Sequence, residues 1–565
     1  MSKIIFSPIP DQICFLPILI LVLFFKLFAA APDPIVPNTA LHLAESLSQD
    51  SLRKHLFTLA DDSMMGRATG TRGAEMAAHY IQDCFRRYGL KSPDNISNYL
   101  QPIPMHGSLP LADSRLRLYL ENTVHDFELA DDYLLYRTGA QTYIGTAVPM
   151  VFAGYGINAP EFDYNDYQSI DVTGKIVVCL SGEPESNDST YFSGCYPTIY
   201  SLPETKHRMA ISRGALGTIL IASTPEYEKD KWNRWKREFT FEDVTLSYTV
   251  AGQLSIVMSL QSAELLFHDA FYSLNEILSM VKHHRIKSFP LPHRISFKGE
   301  FIERDFISSN VIGIIEGNNP ELRDSFLIIT AHYDHLGIGP EIEGDPIYNG
   351  AFDNAAGVAG LLEIARIFSQ NSQFLQRSVI FMAVTGEEKG LLGSKYYLDH
   401  PAVPLYKTVA NINIDGLAIF EKFNDIIGIG AELSTLEEYL QQSAELLGLR
   451  FMTPPNIVVA MEAFSRSDQL AFAQAGIPSL LIMEGMHCKE TNIRESFVRM
   501  QRWLNNIYHT PQDDLNQEMN LDASYQHLQV IAVTVFLLSD STIQPEWKSG
   551  ISYKNVQLQN LAEKR

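Results

Sequence analysis

Cysteine is scarce in this chain: five residues in 565, with no Cys-x-x-Cys pair. That spacing marks thiolate zinc sites, so a cysteine-held metal is excluded as the main chemistry. Positive charge is short as well, with 44 Lys and Arg against 66 Asp and Glu and a formal net charge of −22. A field of that sign repels phosphate backbones, so no nucleic-acid partner is expected. Charged residues make up 19% and apolar residues 46%, a globular profile that excludes wholesale disorder. No internal repeat is visible, and the length calls for two or three domains.

What is present begins with a leader. Lys3 precedes an apolar run over 13–25, followed by Ala29, Ala30 and Ala31, the pattern of a secretory signal. The run is shorter than the roughly 18–20 residues of a spanning helix. Lys26 and Pro32 work against clean cleavage, so 1–31 is read as a signal peptide or an N-terminal anchor. The expected location is exported, periplasmic or extracellular, with the leader as the means of any membrane attachment. Cys179 and Cys195 would bridge in an oxidising compartment; buried free thiols are the alternative.

Three regions follow. The first, 38–140, shows helical patterning over 41–59 and 73–88. Between them lies the turn-rich run from Gly66 to Gly73. It lacks both the Gly-Lys-Ser/Thr ending and the preceding strand of a phosphate loop. The second region, 141–295, holds short β-like runs over 148–155, 174–180 and 218–222 and no ligand cluster, so it reads as an accessory β-rich domain. The third, 300–540, alternates apolar strands (326–330, 378–384, 409–414, 479–483) with helices (354–368, 433–447, 523–538). That alternation predicts an α/β fold with an open mixed, mostly parallel sheet flanked by helices, and a site at the carboxyl ends of its strands. Residues 541–565 read as a loosely held polar tail.

The polar residues of the third region gather at that edge. His332, Asp334 and His335 follow the first strand, Asp353 precedes the first helix, Glu387 and Glu388 end the second strand, and Asp415 ends the third. Each alone could be a cap or turn residue. Together they suit metal chemistry, because imidazole and carboxylate ligands fit zinc and a bridging carboxylate can hold two ions. Water activated by such ions would supply hydroxide at neutral pH. Adjacent Glu387 and Glu388 make sense if one ligates and the other moves protons. Asp334 is placed to accept the second N–H of His332.

The segments His-Tyr-Asp-His-Leu-Gly at 332–337, Asn-Gly-Ala-Phe-Asp-Asn-Ala-Ala-Gly at 349–357, Gly-Glu-Glu at 386–388, Asn-Ile-Asp-Gly at 413–416 and Tyr-His-Thr-Pro at 508–511 resemble the dizinc aminopeptidases related to aminopeptidase Y and glutamate carboxypeptidase II. The second region, through 151–157 and 164–167, resembles the protease-associated domain often inserted in that family. The resemblance implies two Zn2+ ions bridged by Asp353. His332 and Asp415 would complete one, and Glu388 and His509 the other. It also implies Glu387 as general base, Asp334 as the partner of His332, and Tyr508 as an aid to the oxyanion. Ser465 to Gln469 resembles the family's Ser-Asp-His segment with glutamine in place of histidine, and no role follows for it. His335, His487 and Cys488 are not called for by the motif.

The resemblance implies an exopeptidase acting on peptide substrates, and an aminopeptidase by the family's habit. A carboxypeptidase or dipeptidase of the same family would need a cationic clamp, for which Arg466 and Arg494 are candidates. A glutaminyl-cyclase-like acyltransferase or a receptor-like binding module would lack part of the ligand set, and all five ligands are present here.

Overall fold

The computed structural model describes residues 35–564 apart from 136–141, 187, 189–190, 193–197, 223–227, 251, 284 and 455–463. The leader and Cys195 therefore lie outside the described residues; Cys179 itself is buried.

Two large sheets organise the chain. The first has nine strands, parallel at its centre and antiparallel towards one edge. Strand Phe326–His332 lies between Ser378–Val384 and Thr408–Asn413, parallel to both. The chain thus leaves Phe326–His332 to one side and returns on the other, making its carboxyl end the switch point where α/β sheets open a crevice. The central strands are buried along their whole length, because helices cover both faces. One face packs Leu52 and Leu56, Ile81 and Phe85, Leu361 and Leu362, and Val533 and Phe536 into a single core. The other packs Tyr397, Phe472 and Ile477 against Ile328, Ile380 and Met382. Helix Leu521–Asp540 is long and apolar enough to cross a membrane, but it lies largely buried in the first of these cores.

Local chemistry adjusts the expected elements. The helix expected over 41–59 is two, Ile35–Glu45 and Gln49–Leu59. Ser48 breaks it: its hydroxyl caps the second helix at Ser51 N, and its own N–H donates 2.6 Å to buried Glu363. The helix expected from 354 begins at Gly357, because Asp353 and Asn354 depart from helical dihedrals.

The second sheet has eight strands, and it takes in Arg115–Tyr119, Val124–Phe127 and Tyr133–Leu135 as well as strands after 141. The accessory unit therefore starts well before residue 141. It enters and leaves through Leu100–Pro110 and Phe301–Ile315, antiparallel neighbours in the first sheet. One piece crosses over: Asp243–Leu246, from within the accessory region, pairs antiparallel with Leu100–Pro110 at the edge of the nine-stranded sheet.

The tail is not loose. Trp547 is fully buried and its indole N–H donates to Gly476 O at 3.1 Å, while helix Tyr553–Ala562 buries Gln557. A single tryptophan in an otherwise polar stretch outweighs that stretch's composition, since burying an indole removes a large apolar area from water.

Candidate metal centre

The switch point gathers the predicted residues. His332 ends its strand, Glu387 and Glu388 follow Ser378–Val384, and Asp415 follows Thr408–Asn413. Asp353 is carried in by a turn at Gly350, where φ is +56° and an added Cβ would sit 2.0 Å from Asp353 O. Only glycine fits that position. His509 follows helix Ile493–Asn506 and has a positive φ of 56°.

Asp353 stands in the middle. Its Oδ1 lies 3.2 Å from His332 Nε2, which is itself 3.3 Å from Asp415 Oδ1. Its Oδ2 lies 3.1 Å from His509 Nε2, which is 3.4 Å from Glu388 Oε2. One carboxylate therefore spans two donor groups.

The other ring nitrogens show what the space between these groups is built for. His332 Nδ1 donates to the carbonyl of Asp334 at 3.1 Å, and His509 Nδ1 donates to Glu238 Oε1 at 2.8 Å. With the proton on Nδ1, each neutral imidazole turns its Nε2 lone pair toward carboxylate oxygens. Lone pairs facing carboxylates in a buried site call for cations between them, and imidazole with carboxylate suits zinc. Donor atoms of His332, Asp353 and Asp415 lie within 4.8 Å of one another, and so do those of His335, Asp353 and Glu388. The donor set fits two ions sharing Asp353.

Where no cation stands between them, the same groups pair by charge, with the second imidazole proton on Nε2 taking the place of an ion. Burial pulls His332 down, but Glu387 and the hydrogen bonds of Asp353 and Asp415 lift it well above the usual imidazole range. Burial likewise opposes His509, which Glu388, Asp353 and Glu238 raise well above that range. Asp353 is held well below the carboxylate range, against its burial, by hydrogen bonds from His332 and His509. Glu387 goes the other way: burial, then Asp415, Asp468 and Glu388, push it well up against the pull of His332. The two neighbouring glutamates thus sit in environments that separate their acidities.

Several residues differ from the sequence reading. His335 is fully buried, with Nδ1 2.7 Å from Glu388 Oε1 and 3.9 Å from Asp353 Oδ2. The second histidine of His-Tyr-Asp-His was the signal for it. The Asp334 carboxylate does not meet the His332 ring; it accepts from Thr69 Oγ1 at 2.8 Å and Glu387 N at 3.2 Å, and its backbone carbonyl takes the ring proton instead. The backbone leaves the strand after His332, so the two side chains no longer share a face. Tyr508 stacks on His509 at 3.8 Å between ring centroids. Burial, then Asp353, raise its hydroxyl well above the usual phenol range. His487 pairs with Asp425.

Three supports were not singled out for this role. Arg67, fully buried in the turn-rich run, donates to the carbonyls of Leu59, Tyr333, Asn349 and Gly350, tying two ligand segments together. Gly66 makes the approach feasible, since a Cβ there would meet Tyr348 O at 2.4 Å. Asp513 accepts from the N–H groups of Phe352 and Asp353 at 2.9 and 3.1 Å, fixing the turn from below. Gln469, the departure from Ser-Asp-His, accepts from Asn413 Nδ2 at 2.9 Å beside Ser467 and so steadies the strand that leads to Asp415.

Residues 310–535 match the sequence profile of Peptidase family M28. The matched segment contains every residue of the donor set. Aminopeptidase YwaD of Bacillus subtilis is 28% identical over 212 residues, covering 37% of this chain and 40% of that protein. A vacuolar membrane protease of Saccharomyces cerevisiae is 34% identical over 111 residues, 20% of this chain and 10% of that protein. Each alignment spans less than two thirds of the relative's length. The structure of an aminopeptidase from Aneurinibacillus sp. strain AM-1 superposes with a TM-score of 0.55 at 18% identity, covering 91% of this chain and 97% of that one. This likeness shows the fold that surrounds the matched segment.

Proposed function

We propose that the chain is a dizinc exopeptidase that removes amino-terminal residues from peptides. The observation that carries this reading is the division of Asp353, one oxygen toward His332 and Asp415 and the other toward His509 and Glu388. The aminopeptidase names of the relatives support the direction of attack.

In this reading His332, Asp353 and Asp415 hold one ion, and Asp353, Glu388 and His509 the other. His335 fixes the free oxygen of Glu388 through its 2.7 Å contact. Two zinc ions held there supply Lewis acidity toward the peptide carbonyl and the attacking water. A carboxyl oxygen of Glu387 takes the water's proton and passes it to the leaving amine, and burial beside Asp415, Asp468 and Glu388, which makes Glu387 a stronger base than an ordinary carboxylate, suits that role. Glu387 is aimed by its own N–H, which donates to the Asp334 carboxylate. The Tyr508 hydroxyl, kept protonated by burial beside Asp353, donates to the developing oxyanion. The eight-stranded unit takes the part of the protease-associated domain, and the leader sends the chain out of the cytoplasm.

Arg466 favours a second reading. It lies close enough to Tyr508 to pull that hydroxyl's acidity back toward normal, so a cation stands near the centre. A guanidinium there would clamp a free carboxylate and make the protein a carboxypeptidase. Short peptides with free, amino-blocked and carboxyl-blocked ends separate the two readings on the zinc-loaded chain. Cleavage that requires a free amino end and stops on chelation supports the first; cleavage that requires a free carboxyl end overturns it for the second.

A further inference from the structure

One ligand of the metal centre is held from outside the matched segment. After accessory strand Gly217–Ile221 the chain forms helix Glu228–Glu238, then Asp243–Leu246 at the edge of the nine-stranded sheet, and then returns as accessory strand Leu254–Met258. Residues 228–246 are therefore a strap between the two sheets. At its accessory end Trp232, Trp235 and Phe239 pack on Leu134, Cys179, Leu220 and Val257. At the other end, four ladder pairs run from Ser108↔Asp243 to Met105↔Leu246. Between these anchors Phe241 meets Tyr348 edge-to-face at 5.0 Å, and Arg304 clamps Glu242 with bonds of 2.7 and 2.5 Å while reaching Gly70 O.

Glu238 is the last residue of the strap helix, and its Oε1 lies 2.8 Å from His509 Nδ1. Helix stability does not account for a carboxylate there, because the negative end of the helix dipole disfavours it. His509 also needs a holder. Its φ of +56° is in the left-handed region, which is unfavourable for a non-glycine residue unless its surroundings enforce it.

We propose that Glu238 is a positioning residue for His509, so that the accessory unit completes the metal centre through this strap. A carboxylate on the far nitrogen fixes both the tautomer and the ring plane, leaving Nε2 directed at the space between Asp353 and Glu388. This inference rests on the dinuclear reading above.

The test measures zinc binding on the full chain, by chelator competition and metal stoichiometry, for E238A, E238Q and H509A. Losses of this kind are about 10- to 100-fold in affinity for outer partners of a ligand. E238A should weaken one zinc equivalent by that factor and leave the other unchanged. E238Q, which keeps an acceptor oxygen, should fall between E238A and the parent, and the metal-free melting temperature of E238Q should stay with the parent's. Cobalt in the weakened site should show a changed absorption band in E238A. If H509A loses one equivalent while E238A and E238Q both bind two as tightly as the parent, the positioning role is overturned and the dinuclear reading stands. If H509A itself retains both, the dinuclear reading fails and this inference with it. Equal weakening of both sites in E238Q would mean general damage and would also overturn the proposal.

Discussion

The two sheets of this protein are built alike and armed differently. In the accessory sheet Ile176–Leu180, Gly217–Ile221 and Leu254–Met258 run parallel, apolar and deeply buried, as the central strands of the other sheet do, and the buried end of Tyr143–Phe152 joins them through Met150, Val151 and Phe152. Their carboxyl ends run into Ala153, Ser181, Ala222 and Ser259, and Glu183, three residues past Leu180, accepts from Thr198 N and its hydroxyl. The corresponding ends of the nine-stranded sheet deliver His332, Glu387, Glu388 and Asp415. Parallel strands under helices provide a crevice in either case; the few residues after each strand decide whether it holds chemistry.

That contrast breaks most completely at the shared carboxylate. D353N should lose at least about a hundredfold in affinity at both zinc equivalents, read by competition with a chromogenic chelator, because the amide serves neither group well. Next comes E387Q, expected to keep both metals and lose about a hundred- to ten-thousand-fold in kcat. Parental turnover in E387Q would end its assignment as the base.

Below these lies a structural effect. R67M takes a donor from four carbonyls in the interior of the centre, of which Gly350 O keeps the N–H of Ala355, and should cost about 3–5 kcal/mol in denaturant unfolding, far more than a surface arginine would. The smallest effect is one the two sheets share. His527, under the nine-stranded sheet, and His207, beside the accessory one, are both lowered to about 4 by burial. His527 accepts from Ala418 N and donates to Ile482 O, so it is built to be neutral. Its folded value lies below the unfolded one of 6.5, so the unfolded chain binds the extra proton. Its contribution is intact above about pH 6.5 and is lost as pH falls toward 4, by up to about 3 kcal/mol. Melting followed from pH 7 to 5 should show this slope, and H527N should flatten it.

The donor set was legible because metal chemistry forces unusual residues into the positions after strands, where the apolar runs themselves mark the sheet. The strands of 326–330 and 378–384 were legible for the same reason. What escaped was the scaffolding that acts through the backbone or across the chain. Arg67 works by donating to carbonyls, and carbonyls leave no trace in side-chain identity. Asp513 sits in an acidic turn that looks solvated, and Glu238 lies more than 90 residues from any other member of the site except through the fold. His335 was visible yet set aside because the motif did not require it, and the split at Ser48 depended on a partner, Glu363, over three hundred residues away.

The way the accessory unit joins the rest has a consequence for how such a chain can be shortened. Pro110 and Phe301 face each other in the ladder, and Leu111 N donates to Glu300 O at 2.8 Å. Some 190 residues thus leave and return through a gap that a tight hairpin turn would close, at little entropic cost to the strands on either side. A trimmed chain spliced there would keep the register of Leu100–Pro110 with Phe301–Ile315. It would also lose Asp243–Leu246, baring one side of Leu100–Pro110 as an unpaired edge open to pairing with other chains. The insertion can be cut away at the level of connectivity, but solubility would then demand a new guard for that edge.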